Sequence, residues 1–236
     1  MPTDALPPIS NPFATRYTRP DALEYLFPPN AGADSLIARL RESAWWGQIT
    51  GPHGSGKSTL VQTLLPHVEA AGRAVDFYAF HPEHPPLTAT SPASGPPMHS
   101  DSDQPGESGH ASRCFRAKSF AGLRRASITG WKPITQIVVD GYEQLGWLQR
   151  TWLKWHCRRR GAGLLVTAHD DMGLPPLWQT ETSAELTQRV VARLLGESDA
   201  EWLDEDHVER LLATHGGNLR EVLFAMYDLY EQHQRR

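Results

Sequence analysis

The segment Gly51-Pro52-His53-Gly54-Ser55-Gly56-Lys57-Ser58-Thr59 sets glycines, a lysine and hydroxyls in the spacing G-x-x-x-x-G-K-[ST]. Glycines so placed let the backbone curl until its N–H groups point inward, which suits a string of phosphates. A helix opening at Lys57 adds the positive end of its dipole at the same spot. Lys57 supplies a compact cation for the terminal phosphates of a nucleoside triphosphate, and Ser58 a hydroxyl for the accompanying Mg²⁺. Residues 51–59 are therefore expected to bind a nucleoside triphosphate with Mg²⁺.

A second chemical cluster lies downstream. Ile137-Val138-Val139-Asp140 is an apolar, β-branched run that ends in a carboxylate. Ligands of open parallel sheets sit beyond the C-terminal strand ends, so Asp140 is expected in the Mg²⁺ shell, although an aspartate there also suits a helix N-cap. Glu143, three residues on, can orient an attacking water or serve as a first-turn glutamate favoured by the helix dipole. Thr167 and His169 close the next apolar run, Gly163–Ala168. A polar side chain there can reach the γ-phosphate or the water, or simply cap the strand.

The elements that must hold these groups alternate. Helical spacing marks 33–42, 57–71 and 142–160, the last with Leu145, Leu148, Trp152 and Trp155 inside. Strands are expected at 45–50, 74–80, 134–140 and 163–168. Gly72 is a C-cap candidate. Strands alternating with helices imply an α/β fold: a parallel-sheet core of the phosphate-loop NTPase kind, over residues 33–180. Residues 181–236 read as a small C-terminal helical lid, with helices near 183–195, 206–214 and 218–233. Residues 1–32 read as an extended N-terminal arm rather than a helix. Residues 81–112 are Pro, Ser, Gly, His and Asp with almost no large aliphatic side chain, and so are expected to be a disordered insertion. Residues 115–126 can form a basic helix.

Of the 236 residues, 39% are hydrophobic and 21% charged, as in a globular chain. No apolar run nears the roughly 20 residues that span a bilayer, and the N-terminus lacks secretory-signal features. Two cysteines, Cys114 and Cys157, fit reduced thiols and a cytoplasmic location. The net charge of −4 conceals an asymmetry, because residues 113–160 carry 11 Lys/Arg against two Asp/Glu. That stretch can meet a nucleic acid or protein partner, or dock on the chain's own acidic C-terminal part.

With these motifs in order, the chain resembles the AAA+ class of P-loop ATPases, in the compact branch that includes secretion-pathway and transposition-associated ATPases. Asn11-Pro12-Phe13 and Tyr25-Leu26-Phe27-Pro28 resemble the family's N-terminal arm. Asp140 and Thr167 stand where its Walker B acid and sensor-1 residue fall. Gly217-Asn218-Leu219-Arg220-Glu221 resembles a sensor-2 motif, which makes Arg220 the lid residue that reaches the γ-phosphate. Homo-oligomers are common in such a family. Arg124, Arg125 and Arg158–Arg160 are then candidates for a finger acting on a neighbouring copy, and Arg158–Arg160 also suits a helix C-terminus. ATPases of this type place a glutamate directly after the acid; Gly141 stands there, so slow hydrolysis is expected. A small-molecule kinase and a nucleotide-binding module that never hydrolyses are the alternatives. No guanine-specifying box and no transporter-type signature is visible.

Overall fold

A computed structural model of the chain describes residues 11–80, 132–196 and 205–234. Five strands form one sheet: β1 (Trp46–Thr50), β2 (Ala74–Ala79), β3 (Thr135–Asp140), β4 (Gly163–Ala168) and β5 (Pro176–Gln179). All pair in parallel, in the spatial order β2-β3-β4-β1-β5. Every residue of β3 and β4 is buried, as central strands covered on both faces require. The expected α/β class is met, with a fifth strand that had no periodic signal. β5 is four residues long and opens on a proline, which an edge strand tolerates.

The α-helices are α1 (Thr15–Thr18), α2 (Ala33–Glu42), α3 (Lys57–Ala70), α4 (Trp147–Arg160), α5 (Ala184–Leu195), α6 (Glu205–Thr214) and α7 (Leu219–Gln234). On one face of the sheet, Leu36, Leu40, Leu60, Leu64 and Val68 of α2 and α3 pack on Ile49, Phe77, Val138 and Leu165. On the other, Leu153 and Cys157 of α4 pack on Ile137, Val139, Leu164 and Val166. The strand alternation of Ile137, Val138 and Val139 thus serves both layers. Burial pushes the Cys157 thiol up to about 12, so it is a core residue and not a nucleophile.

Residues 142–160 depart from the single helix expected. Tyr142–Gln144 is one 3-10 turn, and α4 starts only at Trp147. The break leaves Leu145 outside α4, and within α4 the face that meets the sheet is not the one carrying Leu148, Trp152 and Trp155. Leu148 and Trp155, expected inside, are exposed, Trp152 is half-buried, and Leu153 and Cys157, one turn apart, are the residues α4 buries.

The C-terminal helices α5–α7 build a separate apolar cluster around Val191, Val208, Val222, Met226 and Tyr230. Phe13 of the arm inserts into it, while Asn11 Nδ2 donates to Tyr227 O and Glu231 Oε1, both at 3.0 Å. Further along, Tyr25 packs in the sheet-side core; its N–H donates to Thr63 Oγ1, and its hydroxyl accepts from Trp178 Nε1. The arm therefore ties the helical cluster to the sheet. It is not wholly extended as expected, since α1 interrupts it. The 81–112 insertion, the 115–126 helix, Cys114, Arg124 and Arg125 lie outside the described residues. Among the described residues, no helix is long and apolar enough to cross a membrane.

Candidate functional site

β1 ends at Thr50, and the loop from Gly51 to Gly56 leads straight into α3 at Lys57. Gly54 shows why the loop needs glycine. Its φ is +70°, and a Cβ there would lie 1.8 Å from Asn218 Oδ1. The loop and the start of α7 are thus in close contact. Asn218 caps α7 at the same time, its Oδ1 accepting from Arg220 N and, more weakly, Glu221 N. Ser55 is buried, with its hydroxyl 2.6 Å from Thr180 Oγ1, and Thr180 in turn donates to Thr50 O. Thr180 follows the unforeseen β5, so nothing in the sequence pointed to it.

The Lys57 ammonium donates to Gly51 O and Pro52 O, both at 2.6 Å, and lies 3.1 Å from His169 Nδ1. An ammonium has only donors, so Nδ1 accepts in that contact; the same atom lies 3.2 Å from Gly51 O, which it meets only as a donor, so the tautomer decides between the two. His169 Nε2 faces Glu143 Oε1 at 3.0 Å. The other Glu143 oxygen, Oε2, is buried without a hydrogen-bond partner. His53 lies against the His169 ring with centroids 3.6 Å apart. Desolvation first, then His169 and Lys57, lowers the His53 pKa and keeps that ring neutral near pH 7. Desolvation also lowers the Lys57 pKa, against the opposing pull of Glu143 and Asp140.

Asp140 ends β3 almost fully buried. Thr167 of β4 donates to Asp140 Oδ1 and accepts from Gly141 N at 2.9 Å. Thr167 is 1% exposed, so its hydroxyl orients the carboxylate instead of facing solvent. Because β4 lies between β1 and β3, its end brings His169 to the loop and Thr167 to the acid. Ser58 and Thr59 sit half-buried in the first turn of α3. Arg220 is exposed on α7, with its guanidinium 5.7 Å from the Phe224 ring. Together with His53, Gly54, Asn218, Glu221 and Phe224 it lines an open cavity of about 440 Å³ between loop and helix. Arg158–Arg160 close α4 just before β4 starts, at the sheet edge opposite the loop, so they cannot reach this chain's own cluster.

Gly141 explains the missing glutamate after Asp140. Its φ is +79°, and a Cβ there would lie 2.1 Å from Phe80 O. A side chain at 141 is refused, and the 3-10 turn delivers Glu143 instead. Gly141→Ala is expected to cost about 3 kcal/mol, combining left-handed strain of about 1–2 kcal/mol with displacement of the β2 end. Denaturant unfolding checks this; a loss under about 1 kcal/mol would mean that the turn relaxes freely.

No family model matches the chain, and no curated protein matches it either.

Proposed function

We propose that this protein binds ATP with Mg²⁺ and hydrolyses it slowly, as an AAA+-like switch in which α5–α7 close over the loop at residues 51–59. The observation that carries the hydrolytic part is the Glu143 carboxylate, held on one oxygen by His169 beside Lys57 and left with a buried, unpartnered second oxygen. Such an oxygen suits a water that must lose a proton. In this reading Lys57 exchanges Gly51 O and Pro52 O for phosphate oxygens. The amides of 51–56 and the first turn of α3 receive the remaining charge. Arg220, at the rim of the cavity, moves onto the terminal phosphate as α7 closes.

Ser58 and Asp140 are the residues that would hold Mg²⁺. That ion takes one or two carboxylates along with phosphate oxygens and waters, so the described residues suit it although they hold no cluster of three or more His, Cys, Asp or Glu. When bound, Mg²⁺ neutralises charge on the phosphates. Thr167 keeps the Asp140 carboxylate turned for this purpose.

Calorimetry with ATP and Mg²⁺, and phosphate release followed in the same sample, test the reading. Saturable heat, slow release without an added acceptor, and ATP-dependent protection of residues 181–236 from protease are expected. Absence of heat removes the nucleotide. Heat without release leaves a binding module, and release only with a small acceptor makes the protein a kinase.

A further inference from the structure

The outward face of α4 has no role in the nucleotide site. Trp147, Leu148 and Trp155 are 74%, 71% and 55% exposed. Single exposed apolar residues are ordinary, but these three share one face. At 100° per residue, Trp147, Arg158, Thr151, Trp155, Leu148 and Arg159 fall within one stripe of about 120°, along some 18 Å of helix. Thr151, Arg158 and Arg159 are exposed as well. α4 carries five Lys/Arg and no Asp/Glu. Among the described residues, no ion pair joins Arg158 or Arg159 to the acidic C-terminal helices. The Arg159 guanidinium lies 5.5 Å from the Trp155 ring centroid on this face, and that of Arg158 lies 5.1 Å from the ring centroid of Trp46 on neighbouring β1, so each arginine adjoins an indole.

From this we infer that the exposed face of α4 binds single-stranded nucleic acid, with bases stacked on Trp147 and Trp155 and phosphates on Arg158 and Arg159. The charge fits a polyanion. The indoles select its class, because aromatic planes stack on unpaired bases, whereas the bases of a duplex already cover one another. An acidic protein would satisfy the arginines and leave the indole faces without a partner. This assigns a partner to part of the basic stretch 113–160 and goes beyond the proposed nucleotide function. Its test needs no ATP, so the failure of either reading can be told from that of the other.

The test is fluorescence anisotropy of a labelled 20-nucleotide oligothymidine with the full chain, against a duplex of equal length, polyglutamate and phosphatidylserine vesicles. Trp147→Ala/Trp155→Ala is expected to weaken oligothymidine binding by at least roughly 30-fold, at about 1–3 kcal/mol per lost stack, without changing the salt dependence. Trp147→Tyr/Trp155→Tyr keeps flat rings and should retain most of the affinity. Arg158→Gln/Arg159→Gln should lower the slope of log affinity against log salt by about 1.4, at about 0.7 per lost phosphate contact. All these side chains lie on the surface, and unchanged circular dichroism confirms folding. Should the alanine pair fold badly, the arginine pair alone decides. Unchanged affinity in the alanine pair, an unchanged slope in the arginine pair, or equal binding of duplex, polyglutamate or vesicles overturns the inference.

Discussion

Lys57→Met is expected to weaken Mg²⁺-ATP binding roughly 10- to 150-fold while leaving the unliganded protein at least as stable as wild type. Methionine keeps the length and apolar stem of lysine and removes only the charge. A hydrogen bond to a charged group contributes about 1.5–3 kcal/mol, which sets the affinity loss. Turnover should fall further, by about 100- to 1000-fold, because this donor faces the charge that develops in the transition state. The stability half follows from the sign of the pKa shift. Desolvation lowers the folded-state pKa of Lys57 below its ordinary 10.5. A base with a depressed folded-state pKa opposes folding whenever it is protonated in both states. That penalty is complete below the folded-state pKa, fades as the pH rises through it, and is gone above 10.5. The thioether of the variant carries no such penalty, so the melting temperature should hold or rise at pH 7, and the difference from wild type should shrink in alkali. Calorimetry and thermal melts over pH 7–11 check both halves. Retained affinity would remove the lysine from the phosphate site. A sharp drop in melting temperature would make its bonds to Gly51 O and Pro52 O structural.

This opposition between stability and ligand affinity was not legible in the sequence, whereas the loop itself was. The glycine-lysine-serine spacing is local chemistry, and so is the apolar run Ile137–Val139 that ends at Asp140, because a continuous β-branched run has few other uses than a buried parallel strand. Two of the contacts that give the site its character, Lys57 with His169 and Gly54 with Asn218, join residues more than a hundred positions apart. His169 reaches Lys57 and Glu143 only because β4 inserts between β1 and β3, and one chain gives no sign of that order. Gly54 reads as a flexible residue of the loop; its closeness to Asn218 depends on how α5–α7 settle on the sheet. The tryptophans misled for a related reason. Leu148, Trp152 and Trp155 do share a face of α4, but Leu153 and Cys157 mark the roughly opposite side, and it is that side which meets the sheet, so the face that looked like core carries the exposed Leu148 and Trp155. Periodicity marks an apolar stripe without saying which of two stripes the sheet covers.

Glu143→Gln separates the two meanings of the carboxylate at the first turn. If Glu143 only complements a helix dipole, the amide changes stability by about 0.3–1 kcal/mol and leaves turnover alone. If Glu143 takes a proton from water, turnover falls by about 100- to 10,000-fold while ATP still binds within a fewfold of wild type. The second outcome is expected. The introduced glutamine can still accept from His169 Nε2 through its amide oxygen, so the substitution removes basicity and keeps position. The orphan Oε2 of the wild type is the acceptor a water proton needs; an NH₂ group in its place is a donor and repels that proton. Glu143 also raises the Lys57 pKa, so the amide should let Lys57 deprotonate at lower pH. The alkaline limb of ATP binding then moves down in pH, a change a purely structural glutamate far from the lysine would not cause. Single-turnover phosphate release and binding titrations over pH 7–10.5 read both effects. Full turnover in Glu143→Gln would place the base elsewhere. Since Gly141 cannot carry a side chain and Thr167 is committed to Asp140, the paired imidazoles of His53 and His169 would then be the candidates to examine. His169 Nδ1 lies against Lys57 and Gly51 O, so that nitrogen could serve only after the ammonium has turned to the phosphates.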